Sequence, residues 1–314
     1  MLRASWSGVV STTKHKEWHR RDLLISLLVS HSRKIATHEY NSVLSDEIID
    51  QHLSPIIMTF PSPLIGILGG MGPQAGLDMA DKLIAMTRTQ CDQDHIPFVL
   101  FSLPDTVGDR TSYLLGKTTT NPAYAIADQF ENMSSMGVSI AVMACNTAHA
   151  GPIYDVALSL LREKGVELRI LHLIRETVTH ITQSYPVIRR VGILGTQGTY
   201  RTRLYDQVLE DVGLEVVLPD PDVREHDIHA ALYAPSFGIK TCPGGISKEA
   251  STRIHKAIRH LQLNGAEAVI LGCTELPLAI KEDQVDGMPI LDPARIIVEK
   301  LIRETYPDKL ALPG

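Results

Sequence analysis

Three things are scarce in this 314-residue chain: cysteine, of which there are four, basic charge and long apolar runs. Four cysteines in a chain this long are too few for a disulfide framework, so a reducing compartment such as the cytoplasm is expected, with thiols free for chemistry. A net charge of −6 gives no electrostatic footprint for nucleic acid. The longest apolar run near the start, Leu23 to Val29, has seven residues, against the roughly 18–20 of a membrane-spanning helix. A basic stretch precedes it, but no small-residue cleavage site follows, which argues against a signal peptide. Neither strand cysteine discussed below stands in a C-x-x-C or H-x-x-x-H spacing, which gives a zinc site little support. What is left, at 44% hydrophobic and 21% charged residues, has the composition of a globular protein with room for two domains.

What the chain does have is a pair of cysteines at the ends of apolar runs. Cys145 closes Ala-Val-Met-Ala-Cys-Asn-Thr-Ala-His (141–149) and Cys273 closes Val-Ile-Leu-Gly-Cys-Thr-Glu-Leu (269–276). Short apolar runs bounded by polar or Gly signals read as buried strands of parallel sheets, whose ligands bind beyond the strands' carboxyl ends. The cysteines also belong to a repeat. Ile-Gly-Ile-Leu-Gly-Gly (65–70) returns as Val-Gly-Ile-Leu-Gly-Thr (191–196), an offset of 126 residues, and the cysteines are 128 apart. The expected fold class is therefore α/β: two pseudo-symmetric domains with parallel sheets, each delivering one thiol to a shared cleft. The expected division is 58–165 with 285–314 as the first domain and 166–284 as the second.

Residues 1–57 differ from the rest. The first 38 hold seven Lys/Arg against two acids, which suits an organellar transit peptide; a poorly ordered extension and a true start at Met58 are the alternatives. After the first strand, Gly70-Met71-Gly72-Pro73-Gln74-Ala75 opens a helix, with Pro73 suited to its first turn. Backbone N–H groups of this turn can receive an anion. The turn matches a loose G-x-G-x-x-A nucleotide fingerprint, but the second strand ends in Ser102 and not in the acidic residue a ribose needs. The loop after that strand carries Asp109-Arg110-Thr111, and Arg110 is a candidate for carboxylate recognition. Thr196-Gln197-Gly198-Thr199 offers hydroxyls at the corresponding turn of the second half. The Gly- and Pro-punctuated stretch 232–245 reads as a mobile loop or lid, from which Lys240 could close over an anion. Strands are expected at 168–173 and 214–218, and helices over 123–136, 153–164, 174–181, 205–212, 247–263 and 293–303.

Inverting a stereocentre beside a carboxylate requires a base on one face and an acid on the other. Two equivalent thiols, one as thiolate and one protonated, do this in both directions with roles exchanged. Each Cys precedes an expected helix start, so a lowered thiol pKa is expected at both. The alternatives are small buried core residues, a Cys145–Cys273 disulfide, a nucleotide-binding module built on the Gly-rich turn and a non-catalytic amino-acid-binding protein. Cys91 and Cys242 lack the strand context and read as bystanders.

Taken together, Gly-Ile-Leu-Gly-Gly-Met-Gly-Pro (66–73), Asp-Arg-Thr (109–111), Cys-Asn-Thr-Ala-His (145–149), Gly-Ile-Lys (238–240) and Gly-Cys-Thr-Glu (272–275) resemble the aspartate/glutamate racemase family, cofactor-independent amino-acid racemases, over about 64–303. Glu275 stands where glutamate racemases usually carry His, which is closer to aspartate racemases. The resemblance implies an isomerase with Cys145 and Cys273 as the acid/base pair, Cys273 serving the L-form. It implies Asn146, Thr147 and Thr274 at the α-groups, Arg110 and Lys240 at carboxylates, and Met71, Gln74, Thr196 and Glu275 lining the site. No cofactor or metal is implied. The expected partner is an amino acid, aspartate first and glutamate second, and the expected assembly a homodimer. His149 fits the motif with a structural role at least as well as a catalytic one. The loop Ser102 to Gly108 and Ala144, where aspartate racemases often have Pro, depart from the family pattern around the side-chain pocket. A hydantoin racemase, or a small-acid isomerase or decarboxylase of the same fold, is the alternative activity.

Overall fold

The computed structural model describes residues 63–242 and 245–311, so the extension expected over 1–57 lies outside them. The first half runs β1 (Leu64–Leu68), α1 (Pro73–Ala85), β2 (Phe98–Phe101), α2 (Arg110–Leu114), α3 (Ala123–Ser135), β3 (Val138–Met143), α4 (Gly151–Glu163) and β4 (Arg169–Ile170). Its strands form a parallel sheet in the order β2-β1-β3-β4. Next come α5 (Leu173–Ser184), β5 (Arg190–Gly195), α6 (Gln197–Arg201), α7 (Asp206–Glu210), β6 (Glu215–Val217), a helical run over 221–233, α8 (Lys248–Leu263), β7 (Ala268–Gly272), α9 (Leu276–Ala279), β8 (Gln284–Val285), β9 (Met288–Leu291) and α10 (Pro293–Thr305). The second sheet has the order β6-β5-β7-β9-β8, parallel except for β8, which pairs antiparallel with β9 at the edge.

The sequence repeat is also a topological one. β1 lies between β2 and β3 as β5 lies between β6 and β7, so the two Gly-signature strands and the two Cys-bearing strands are neighbours in each sheet. Every residue of β1 and β7 is buried, as strands covered on both faces must be. One face of the first sheet packs on α3 and α4 through Phe130, Met133 and Ile153, and the other on α1 through Met79 and Leu83. In the second half, α8 covers one face with Ile254, Ile258 and Leu261, while α5 and α7 cover the other with Val178 and Leu209. Helix α10 serves both halves: Ile297, Val298, Leu301 and Ile302 join the first core and Ile296 the second. Full burial of such a side chain contributes roughly 1.5–3 kcal/mol, so α10 ties the halves together.

Several expected boundaries shift for local reasons. The strand expected at 168–173 is only Arg169–Ile170, because Leu173 already opens α5 behind the cap in which His172 accepts from the Arg175 N–H. The helix expected from 153 starts at Gly151, with Pro152 in its first turn. The stretch 232–245 is not a loop throughout. Leu232 and Tyr233 end the run over 221–233, whose segment Arg224–His229 is π-helical. The chain then folds back, with the Ile239 N–H donating to Ala231 O at 2.9 Å and the Lys240 N–H to Leu232 O at 3.0 Å. Leu232 is wholly buried, so core packing extends the helix up to the Gly/Pro punctuation. The edge hairpin β8–β9 carries no strong strand signal in the sequence.

Candidate active site

The carboxyl ends of both sheets border one cavity of about 250 Å³. Its wall contains Met71, Gln74, Arg110, Cys145, Asn146, Thr147, Thr196, Lys240, Cys273, Thr274 and Glu275, all the residues singled out from the sequence. The strands explain this convergence. Cys273 directly follows β7, and Cys145 stands two residues past β3, with Ala144 N–H still bonded to Leu68 O at 2.8 Å. Both cysteines are buried, and all four cysteines of the chain are free thiols.

Polar contacts join the halves around this cavity. The hydroxyls of Thr147 and Thr196 share a hydrogen bond at 3.1 Å, and Thr274 Oγ1 donates to Ala144 O at 3.1 Å. Tyr205 Oη donates to Asn146 Oδ1 at 2.5 Å. Gly198 is pressed between halves as well: a Cβ there would lie 2.9 Å from Thr147 Cγ2 and 3.0 Å from Thr111 Oγ1.

Around Cys273 the dominant group is Glu275. Its carboxylate pairs with Lys240 Nζ, receives the Gly72 N–H at 3.3 Å and accepts from Cys273 Sγ at 3.1 Å. The Gly-rich turn does hold an anion, then, and that anion is the protein's own Glu275. A Cβ at position 72 would stand 2.7 Å from Glu275 Oε1, so this close approach needs Gly. Burial opposes the Glu275 charge, but Lys240, Cys273 and Gly72 together hold it below the usual carboxylate range. Burial also opposes the Lys240 charge, which Glu275 more than restores. The lowered thiol pKa expected for Cys273 is not what this corner produces. Burial and then the Glu275 carboxylate push the thiol up, with Lys240 only partly offsetting them. Helix α9 after it has four residues and begins beyond Glu275, too short and too far to reverse this. Nor is Lys240 an open cation over the cavity, since Glu275 already holds it.

Around Cys145 the neighbour is Arg110. Arg110 Nη1 donates to Gly108 O at 3.0 Å and Nη2 to Met71 O at 2.5 Å, which fixes the guanidinium plane. Burial opposes its charge, but the Cys145 thiol, Asp109 and Glu275 hold it above the ordinary arginine value. Arg110 Nε and Asn146 Nδ2 are buried without a hydrogen-bond partner. A buried unsatisfied donor costs about 1–3 kcal/mol, and both belong to residues that line the cavity. Behind Cys145, His149 stacks on Tyr154 and lies against His172. Burial and then the neighbouring His172 hold its pKa down to about 3, so the ring is neutral. Its one N–H is on Nδ1, 2.8 Å from Cys145 O, because a carbonyl can only accept.

The Asp/Glu/Hydantoin racemase family model matches residues 68–301. The chain belongs to this family. It is a racemase, an isomerase by reaction class. It is 28% identical to Picrophilus torridus aspartate racemase, whose structure superposes with a TM-score of 0.64 over 77% of this chain and 94% of that one. An aspartate racemase homologue from Pyrococcus horikoshii is 25% identical, with a TM-score of 0.57 over 77% of this chain and 98% of its own. The broad-specificity amino-acid racemase RacX of Bacillus subtilis is 25% identical over 77% of this chain and 98% of that protein.

The racemase cavity also has walls that sequence reasoning missed. Tyr233 and Ile239 line it, as do Asp109 and Thr111 on either side of Arg110. Burial raises the Tyr233 phenol well above its ordinary value and Cys273 adds to the effect, so the hydroxyl keeps its proton. Asp109 and Thr111 carried a signal in the Asp-Arg-Thr motif. Tyr233 carried none, standing at the end of a helix that the sequence pattern did not announce. Asp109 caps α2 by accepting from the Ser112 N–H at 2.7 Å, which sets Arg110 at the helix start. No helix among the described residues is long and apolar enough to cross a membrane.

Proposed function

We propose that this chain is an amino-acid racemase in which Cys145 and Cys273 act as the two bases. One thiolate takes the α-proton, the C–H electron pair stays on the α-carbon, and the other thiol gives its proton to the opposite face. The first sulfur ends as thiol and the second as thiolate, so the pair is set for the reverse direction. The observation that carries this reading is a single cavity bordered by two buried free thiols from equivalent strands and by two buried donors lacking acceptors. The donors and the Arg110 charge suit a carboxylate, and the Arg110 charge would stabilise negative charge spreading onto it from the α-carbon. Cys273 donates its S–H to Glu275, and Arg110 stands beside Cys145.

Aspartate is the first substrate proposed and glutamate the second, on the strength of the likeness to an aspartate racemase along nearly its whole length. One observation favours a second reading, an amino acid with an uncharged side chain. Lys240 is already neutralised by Glu275, so a distal carboxylate would have to compete for it. The broad-specificity relative points the same way. The test is proton NMR in D2O with reducing agent and no added cofactor, over a panel of L-aspartate, L-glutamate, L-alanine and L-methionine. The expected result is loss of the α-proton signal with growth of the D-enantiomer. Folded, reduced protein that exchanges no α-proton across the panel would overturn the reading.

A further inference from the structure

Asn146 and Tyr205 come from opposite halves and meet below the cavity. Asn146 is 1% exposed and Tyr205 fully buried. Between them, Tyr205 Oη donates to Asn146 Oδ1. That assigns the oxygen of the Asn146 amide to the Tyr205 side and its NH2 group to the other. There, Nδ2 is buried with no partner, on a residue that lines the cavity.

The backbone that delivers Tyr205 is built for the purpose. Helix α6 ends in a Schellman motif: the Leu204 N–H bonds Thr199 O at 3.1 Å and the Arg203 N–H bonds Tyr200 O at 3.2 Å. Such motifs usually place Gly at the left-handed position, but here Arg203 occupies it with φ 49°. A non-Gly residue there is strained, and its side chain is held by Asp206 at 3.2 Å and Glu210 at 2.5 Å. The sharp reversal ends α6 just before Tyr205, which is buried against Asn146.

We propose that Tyr205 is a positioning residue for the carboxylate subsite: it locks the Asn146 amide so that the NH2 group donates into the cavity. A freely flipping amide would present its oxygen to the ligand for part of the time, and an oxygen repels a carboxylate. This rests on the proposed binding of an amino-acid carboxylate, so the experiment reads binding separately from turnover. Calorimetry gives Kd for L-aspartate and the NMR assay gives KM and kcat, for wild type, Tyr205→Phe, Asn146→Ala and the double variant.

Tyr205→Phe keeps the buried ring and removes only the hydroxyl. The expected result is a rise of about tenfold in Kd and KM with kcat within about threefold, the pattern of lost uniform binding. In the Asn146→Ala background the same change should alter Kd by less than about twofold, because its effect passes through Asn146. Independent effects that multiply would mean a purely structural Tyr205 and overturn the proposal, as would an unmoved Kd in Tyr205→Phe. If a panel amino acid binds but none turns over, the racemase reading fails while the Kd series on the one that binds still decides the role of Tyr205. If no amino acid of the panel binds wild type, the carboxylate subsite and the proposal fall together. Should Tyr205→Phe not fold, Asn146→Asp decides: Tyr205 keeps an oxygen to donate to, the cavity gains an acceptor in place of the donor, and Kd should rise at least about a hundredfold. Wild-type binding by Asn146→Asp would refute the assigned orientation.

Discussion

Cys145 and Cys273 occupy equivalent places in two halves of like topology, yet their nearest charged neighbours have opposite sign. Cys273 gives its S–H to a buried carboxylate, Glu275, with Lys240 one atom further away. Cys145 has the guanidinium of Arg110 beside it and a neutral His149 gripping its carbonyl. A repeat supplies two thiols at mirrored positions; it does not supply a charge difference between them. That difference comes from one residue on each side, Arg110 at the start of α2 and Glu275 two positions past Cys273. The proposed two-base chemistry needs one sulfur holding a proton while the other does not, and the contact with Glu275 favours the proton on Cys273.

The largest effect should follow from breaking the pair itself. Replacing either Cys145 or Cys273 by Ala should lower racemisation by about three orders of magnitude, in the range of a lost general acid or base. The sharper outcome is one-sided: a variant with one thiol left can still exchange the α-proton of one enantiomer with D2O without inverting it. Following each pure enantiomer separately by NMR assigns a face to each sulfur. If both single variants kept wild-type inversion, the two thiols could not be the bases.

Next in size is Glu275→Gln, which removes the negative charge in contact with Cys273. Because burial and Glu275 both push the Cys273 thiol up, loss of the carboxylate should move its titration to lower pH. Alkylation at Cys273, followed by mass spectrometry across a pH series, should show it reacting at lower pH than in wild type. Turnover should fall about 10- to 100-fold as the resting proton donor is depopulated. The substitution strands Lys240 as a buried cation, and breaking a buried pair costs about 3–5 kcal/mol. Pairing it with Lys240→Met keeps the measurement on folded protein. An unchanged Cys273 profile would show that the contact with Glu275 does not govern the thiol.

How far the sequence reached can be judged at these same residues. Strand ends are local features, so the apolar runs before Cys145 and Cys273 were enough to send both to the mouth of a sheet, and the repeat put the mouths together. The motifs marked Arg110, Lys240 and Glu275 as site residues. They did not say that Lys240 and Glu275 pair with each other, because that depends on the fold-back of 234–240 onto the helix before it. Spacing predicted a lowered pKa at both thiols from helix starts, whereas burial and one carboxylate decided Cys273. Tyr205 lay hidden for a similar reason. Its partner Asn146 is 59 residues away in the other half, and no local pattern reports a contact across two sheets.

The smallest expected effect concerns stability and the cluster behind Cys145. His149 has its pKa held down to about 3 and His172 to about 4, in both cases mainly by burial. Unfolded, each would titrate near the ordinary histidine value of 6.5. As pH falls from 6.5 toward 3 the unfolded chain takes up protons that the folded chain refuses, so stability is lost through that window and is fully present above it. The Asp and Glu side chains add their own acid dependence, so His149 must be isolated by substitution. His149→Asn keeps a donor for Cys145 O but does not titrate. At pH 7.5 it should be less stable than wild type by about 1–3 kcal/mol, from the packing lost against Tyr154 and His172. As the pH is lowered to 4 that gap should narrow by a few kcal/mol and can reverse, since only wild type carries the unfavourable protonation. Urea unfolding of both proteins at a series of pH values measures it. A gap that stays constant from pH 7.5 to 4 would mean that His149 holds the Cys145 corner without being its pH-sensitive element, and would shift that role to His172 at the rim of the same cluster.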